Sequence, residues 1–536
     1  MHEDFILSGR YFVFSKNIVP QRIGVLNFHL SLQSERILRG FFYECWYCNF
    51  TVIYHGFIRH SLLCFTSGQK SISHFATADS SLGVFVLTLT FSATYHSAYA
   101  FMGAAGFVYQ HGIGWWVNGI WTVFPGVLFW ILGRRFWFLG KKYGYISMAQ
   151  YISDVYQDDR IGFLVTIITL IFTLPYVAMQ AIGSGYIFEV ISDGKLSYEF
   201  GTILFFVIMI VLVWMGGMKG IAITDAAQGV FMWIGMVIGS YIVIKNNFPF
   251  ITNAYTEAFK VIPQHFTLPG PNGVVTSADW ISRWVVITIG MMMFPHITLR
   301  FFSGRSLKVL KWSSVFSSIY LTSIYVFTPA IGFIGNILFP NIAAPDTIFP
   351  EMLMAYTPIV FAALVISGAL AASMSTGDSQ LHAVSSMVST DIYKKHINRE
   401  ADEYKQYRVA KLFTVILGII SIIIALQKPG LLGNILALSN GGVAALAPAM
   451  IGGVYWKGAT REGALWSIII GEIVMLLTTF VIKSPLGLMP GVWGLMVAFV
   501  VYVAVSKVTQ PVKRTEEIID SINEFFYSDD SELETT

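Results

Sequence analysis

The sequence predicts an all-α polytopic membrane protein of twelve or thirteen transmembrane helices, built on a core of five plus five helices in inverted repeat. Three observations lead there. The chain is 55% hydrophobic and only 12% charged, where a soluble domain carries about 25% charged residues. From Leu82 onward it divides into long apolar runs separated by short charged connections, most of them near or above the ~20 residues that a span needs. Two of those runs, five spans apart, are interrupted at corresponding positions, and an odd number of spans per half places the halves in opposite orientation across the bilayer.

Residues 1–75 stand apart as an atypical N-terminal segment. They hold all three cysteines, Cys45, Cys48 and Cys64, and five of the eleven histidines. The one stretch approaching a span, 41–65, is interrupted by Glu44, Asn49, His55, Arg59 and His60, so at most one weak span is expected there. Cys45 and Cys48 form a Cys-x-x-Cys pair, but His55 and His60 follow too soon for a zinc finger, which separates its two ligand pairs by about a dozen residues. With no cysteine after Cys64, a disulfide framework for the body is excluded. Residues 1–38 mix charges without a clean apolar run, so no signal peptide is expected. The net charge of +3 implies no nucleic-acid partner.

The spans expected after this segment are 82–110, 116–139, 161–190, 200–216, 221–245, 279–301, 313–338, 350–390, 407–427, 431–455, 464–483 and 488–507. The first ten form a core over 76–455, with repeat one at 82–245 and repeat two at 279–455. Two accessory spans occupy 456–510, and the acidic tail 511–536 is expected to be solvated. Lys and Arg set the orientation, because short cytoplasmic loops accumulate them. One set of loops carries Arg134, Arg135, Lys141 and Lys142, then Arg300, Arg305, Lys308 and Lys311, then Lys394, Lys395, Arg399, Lys405, Arg408 and Lys411. Lys457, Arg461, Lys507, Lys513 and Arg514 fall on the same side, and the opposite loops hold few. That side, with the C-terminus, is expected to be cytoplasmic in a multi-pass protein of the plasma membrane.

In 82–110 the run Ser92-Ala93-Thr94-Tyr95-His96-Ser97 precedes Gly103 and Gly106, and in 279–301 Gly290 and Pro295 flank Met291-Met292-Met293. Unwound backbone at such breaks frees carbonyls for a cation, and half-helix N-termini favour anionic groups. The stretch Ile366 to Asp391 supplies side chains to match. It carries Ser373, Ser375, Thr376, Asp378, Ser379, Gln380, His382, Ser385 and Ser386, with no helix breaker except Gly377. Polar groups at membrane depth face a bundle interior or a water-filled path. A lone membrane serine usually bonds the carbonyl one turn earlier. A whole face of hydroxyls beside small residues suits a hard monovalent cation, which reads as an ion site inside a transporter.

Five stretches, in order among the spans, resemble the sodium:solute symporter family. They are SATYHSAYAFMGAAGFVYQHG (92–112), GGMKGIAITDAAQG (216–229), PHITLRFFSG (295–304), ALAASMSTGDSQL with TDIY (369–393), and PAMIGGVYWKGATREGAL (448–465). The resemblance runs from about Asp79 to Lys507. It implies the inverted-repeat fold also seen in neurotransmitter:sodium symporters, with Na+ as the coupling ion. By position it implies a Na+ site made by the carbonyls of Ala93, His96 and Ala372 and the hydroxyls of Ser375 and Thr376. Asp225, expected in the first turn of span 221–245 near the cytoplasmic face, reads either as a helix cap or, through the resemblance, as a residue of sodium release. Asp378, one turn below the ion ligands, is expected to attract a cation, carry a proton or pair with a cytoplasmic base. His96 beside the break could titrate near neutral pH, which leaves proton coupling on the same fold as the alternative.

The solute pocket is expected between the two breaks, lined by Tyr95, Tyr99, Gln180, Met291 and Met293. Its apolar wall argues against a hydroxyl-rich sugar. Pro295 and His296 are similar to the family branches that carry carboxylates, amino acids or pantothenate, although Phe294 stands where those branches often have glutamine. The expected function is sodium-coupled symport of a small organic acid or amino acid. The partners are that solute and the lipid bilayer, with no obligatory protein partner inferred. A membrane-embedded enzyme would need a constellation such as HExxH or GxSxG, absent from the chain. A membrane sensor would need more than a tail of about 25 residues.

Overall fold

Backbone in lipid must satisfy its own hydrogen bonds, which leaves helices as the spanning structure for a chain of this composition. The computed structural model describes residues 70–115, 122–192, 194–428, 430 and 432–527, with Gly56 and Arg59, and among these it contains helices and no strand. The expectations for Cys45, Cys48, Cys64, His55, His60 and a weak span at 41–65 lie outside the described residues, as does the tail beyond Tyr527.

The chain enters with α1 (Ile72–Thr77) and a first span in two pieces, α2 (Val84–Tyr95) and α3 (Ala104–His111). Then come α4 (Phe124–Tyr143), the short α5 (Met148–Val155), α6 (Asp159–Ile191), α7 (Tyr198–Trp233), α8 (Gly239–Asn247) and α9 (Ile251–Val261). The spans expected at 200–216 and 221–245 meet at one residue rather than a loop. Gly217 takes φ 53 and ψ −165 there, a conformation that a side chain would strain.

Repeat two opens with α10 (Ser277–Met293) and α11 (Pro295–Ser303), bent by 52° at Phe294. It continues through α12 (Leu307–Ile324), α13 (Thr328–Leu338), α14 (Ile348–Tyr356), α15 (Ile359–Met387) and α16 (Glu403–Leu426). The span expected at 350–390 is therefore two helices. Thr357 (φ −124, ψ 158) and Pro358 separate them in extended backbone, because a proline pushes the residue before it out of the helical region. The span expected at 431–455 is also broken, bending by 45° between α17 (Leu432–Ala444) and α18 (Ala447–Tyr455). Pro448 marked it in the sequence, where only two spans were expected to break. The accessory pair, α19 (Arg461–Phe480) and α20 (Pro490–Val508), follows as expected. Among the described residues seven helices are long and apolar enough to cross a membrane, or up to nine if each bent pair is one span.

The start of α2 lies beside the end of α11. Leu82 N donates to Ser303 O at 3.1 Å and Arg305 N to Leu82 O at 3.0 Å. One broken span thus enters where its counterpart leaves, as opposite orientation requires. Between them stands α15, packed against α2, α6, α7 and α16. Every residue from Val365 to Asp391 is buried, so its polar face meets protein rather than lipid. The helix runs straight through Gly377, where a Cβ would lie 2.7 Å from Met209 Sδ; the glycine serves close packing rather than a break.

The acidic tail is not simply solvated. Residues Lys513–Tyr527 form α21, with Ile518 and Ile522 buried. Arg514 Nη2 pairs with Asp154 of α5 at 2.8 Å, and Thr515 Oγ1 donates to Val155 O at 2.7 Å. Phe525 stacks on Phe138 of α4 at 4.4 Å, and Lys457 pairs with Asp520. The charges seen in the sequence lie on one face, and the isoleucines and phenylalanines between them supply the other. Ile522→Ala should cost about 2–5 kcal/mol, read as lost hydrogen-exchange protection across 513–527 with the spans unchanged.

At the opposite end, Asp346 in the connection between α13 and α14 accepts from Leu432 N at 3.3 Å, at the start of α17. Burial pushes its carboxyl up to about 6, against about 3.9 for an unfolded chain. The fold thus binds this proton more tightly than the unfolded chain does. The stabilisation is full below about pH 4 and is lost as pH rises through about 6. Melting temperature should fall between about pH 4 and 7, and Asp346→Asn should flatten that slope.

Candidate functional site

The first break falls at His96, whose backbone is extended (φ −87, ψ 98). Unwinding leaves N–H groups that a helix would have bonded, and side chains take them. Ala98 N donates to Gln180 Oε1 at 2.9 Å, and Tyr99 N to Ser97 Oγ at 3.2 Å. Gln180 is itself held, its Nε2 donating to Tyr176 O at 3.1 Å.

Carbonyls before the break meet α15. Ser375 Oγ donates to Ala93 O at 3.1 Å and to Ala372 O at 2.9 Å. Thr376 Oγ1 lies 3.0 Å from Thr94 O and 3.5 Å from both Ala93 O and Ala372 O. The bond one turn back is present, but each hydroxyl also crosses to α2. Such separations are those of neighbouring ligands around a cation with metal–oxygen distances of about 2.3–2.6 Å, as for Ca2+, whose size Na+ nearly shares. The cluster is buried and every donor is a neutral oxygen, a fit to Na+ by ligand type. Ala93, Ala372, Ser375 and Thr376 are thus brought together. His96 supplies the turn; its imidazole lies 4.8 Å from the Tyr325 ring, with neither nitrogen hydrogen-bonded among the described residues.

Thr94 carries the site further. While its carbonyl accepts from Thr376, its Oγ1 donates to Asp225 Oδ2 at 3.2 Å and lies 3.3 Å from Ser379 Oγ. Asp225 is neither in a first turn nor a cap. It lies two turns past Gly217, fully buried, with Arg300 Nη2 2.8 Å from Oδ2. The same nitrogen lies 2.8 Å from Thr90 Oγ1 and 2.8 Å from Ser379 Oγ. Arg300, counted in the sequence as a loop cation, is only 1% exposed and joins α2, α7, α11 and α15. The error has a simple origin: α11 continues to Ser303, so Arg300 is a helix residue facing the bundle. Asp378 has neither oxygen hydrogen-bonded among the described residues, so the expected pairing with a cytoplasmic base is absent there.

Tyr176 and Gln180, one turn apart on α6, reach the two breaks. Tyr176 Oη donates to Met291 Sδ at 3.8 Å, and its ring lies 5.3 Å from Phe294 and 5.8 Å from His296. Tyr95, Tyr99 and Met291 are buried in this region. Gln180 uses one N–H and one lone pair of its amide to hold backbone, which leaves a second donor and a second acceptor position on the same group. Met293 adjoins an outward-opening groove with Leu128, Ile289 and Ile451. Sequence reasoning missed Thr90, Thr94, Tyr176 and the role of Arg300. The spacing of Thr90 and Thr94, one turn apart on a broken span, was the available signal.

The sodium:solute symporter family model matches residues 75–471. The chain belongs to this family. A sodium/pantothenate symporter of Haemophilus influenzae is 25% identical over 426 residues, covering 78% of this chain and 85% of the relative. A sodium/proline symporter of Staphylococcus aureus is 26% identical over 473 residues, covering 84% and 90%. Among solved structures, a Na+-coupled sialic acid symporter in a substrate-bound, outward-open state superposes with a TM-score of 0.74 at 18% identity, over 88% of this chain and 98% of that one. A nucleobase-cation-symport-1 family transporter in a closed conformation gives 0.54 at 14% identity, over 83% and 98%. At those identities the likeness is one of fold. The symporter is membrane-embedded, and Na+ is its coupling ion.

Removing Arg300 strands Asp225 as a buried charge. Arg300→Ala should destabilise this symporter by about 3–5 kcal/mol, and Arg300→Ala with Asp225→Ala should recover most of the loss. Thermal unfolding in detergent measures both; an unaffected single variant would show that the pair does not form.

Proposed function

We propose that this symporter carries a small carboxylate-bearing solute, an organic acid or amino acid, into the cell with Na+ by alternating access. The plasma membrane houses it, with the C-terminus in the cytoplasm. One observation carries the reading: the hydroxyls of Ser375 and Thr376 meet the carbonyls of Ala93 and Thr94 at the break of the first span. Na+ entering among these oxygens ties α2 to α15 by coordination, in place of hydrogen bonds between them. An ion that binds one arrangement of two helices better than another shifts the protein toward it, and that differential affinity is what couples ion to solute. Asp225, linked to the ligands through Thr94, offers the ion its next oxygens on leaving, with Arg300 competing for the same carboxylate.

A carboxylate is favoured by the helix ends at the breaks. A π turn, Tyr99–Gly103, starts just after the first break and runs into α3, and α11 starts at the second; the positive ends of these helical segments suit an anionic group. His296 adds an imidazole with no hydrogen-bond partner among the described residues. Tyr95, Tyr99 and Met291 leave an apolar wall for the remainder of the solute. The relatives are named for pantothenate and proline, and the solved symporter for sialic acid, each a carboxylic acid. The C-terminal placement is supported by α21 lying against the basic end of α4 and Lys457.

A solute screen in proteoliposomes, with and without an inward Na+ gradient, tests the reading. Uptake should require Na+, and Ser375→Ala with Thr376→Ala should raise the Na+ needed for half-maximal uptake about tenfold or more, equivalent to losing ~1.4 kcal/mol of ion binding. Uptake driven equally by a proton gradient in the absence of Na+ would count against it.

A further inference from the structure

The bent second span has an outer surface that the transport reading does not use. On the lipid side, a groove of about 290 Å³ runs between α4, α10 and α18, lined by Leu128, Ile131, Ile289, Met292, Ile451 and Tyr455. Val127 and Ile131 on the same helix are 44% and 40% exposed, so the groove opens toward lipid. Arg134 stands one turn past Ile131, its guanidinium 5.7 Å from the Trp130 ring and 5.2 Å from the Phe526 ring. Beside it, Arg135 lies 3.9 Å over the ring of Tyr455, and its Nη1 donates to Val454 O at 2.7 Å. Neither arginine pairs with a carboxylate among the described residues. The Nε of each is buried with no hydrogen-bond partner there.

Two guanidiniums without acidic partners, at one end of an apolar slot facing lipid, match one chemistry. An acyl chain fits the slot, and a phosphate answers the charge; basic pockets between spanning helices hold anionic headgroups in this way. We propose that the groove between α4, α10 and α18 seats an acyl chain of an anionic phospholipid whose phosphate is held by Arg134, with Arg135 adding to the field. Trp130 and Phe526 flank the Arg134 guanidinium, and guanidinium is the group that takes a phosphate by two parallel N–H bonds. Met292 and Met293 adjoin the bend at Phe294, so the lipid touches the outside of the helix whose inner side faces the solute.

Native mass spectrometry of the full chain in detergent, titrated with phosphatidylglycerol or with phosphatidylcholine of the same acyl chains, tests this. Phosphatidylglycerol should bind about fivefold tighter or more, the worth of roughly one basic group at a membrane surface. Arg134→Gln should abolish that preference and Arg134→Lys should keep part of it. Leu128→Trp with Ile289→Trp, filling the slot, should weaken both lipids. Equal binding of the two lipids by the unaltered protein, or an unchanged preference in Arg134→Gln, overturns the proposal. If Arg134→Gln does not fold, the filled-slot variant decides, and undiminished phosphatidylglycerol binding to it overturns the proposal.

Discussion

Peptide groups released inside a membrane must find partners, and the break at His96 is where this constraint shapes the molecule. A straight helix would need nothing from its neighbours. By unwinding at His96, the first span hands an amide to Gln180 and sets carbonyls toward the hydroxyls of Ser375 and Thr376. The partners come from α6 and α15, so the break is stable only while these helices stay packed around it. The same oxygens that satisfy the backbone are the ones a dehydrated Na+ needs. The proposed ion site therefore coincides with the bonds that hold three helices together.

Beneath it the charges are arranged at high stakes. A buried carboxylate and guanidinium gain little net stability as a pair but cost much when one is removed. Asp225 and Arg300 come from different repeats, and Thr94 ties them to the ion ligands by presenting its carbonyl on one side and its hydroxyl on the other. A change in the position of α2 thus changes both the ion cluster and the ion pair. One residue, Thr94, touches both Thr376 and Asp225.

The fold was legible because lipid simplifies the code. Long apolar runs and their spacing suffice for the helical membrane class and the inverted halves. The burial of the polar face that carries Ser375 and Thr376 was legible for the same reason, since hydroxyls at membrane depth must face protein. The charged cluster was not. Arg300 near other basic residues reads as a loop charge until the helix is seen to continue past it. Asp225 read as a cap because nothing in the sequence shows that only Gly217 separates two spans. For Gln180 and Met293 the sequence shows the chemistry of the side chain but not its neighbours, because where a side chain on a helix points depends on tertiary packing. The third bend, at α17 and α18, had the same Pro signal as the second, without a counterpart in the other half to draw attention to it.

Equilibrium binding of radioactive sodium to the purified protein, in the absence of any solute, tests the ion cluster most directly. Saturable binding that unlabelled Na+ displaces and K+ does not, lost when Ser375→Ala is combined with Thr376→Val, is the expected result. Sodium binding that survives this double substitution unchanged would contradict it.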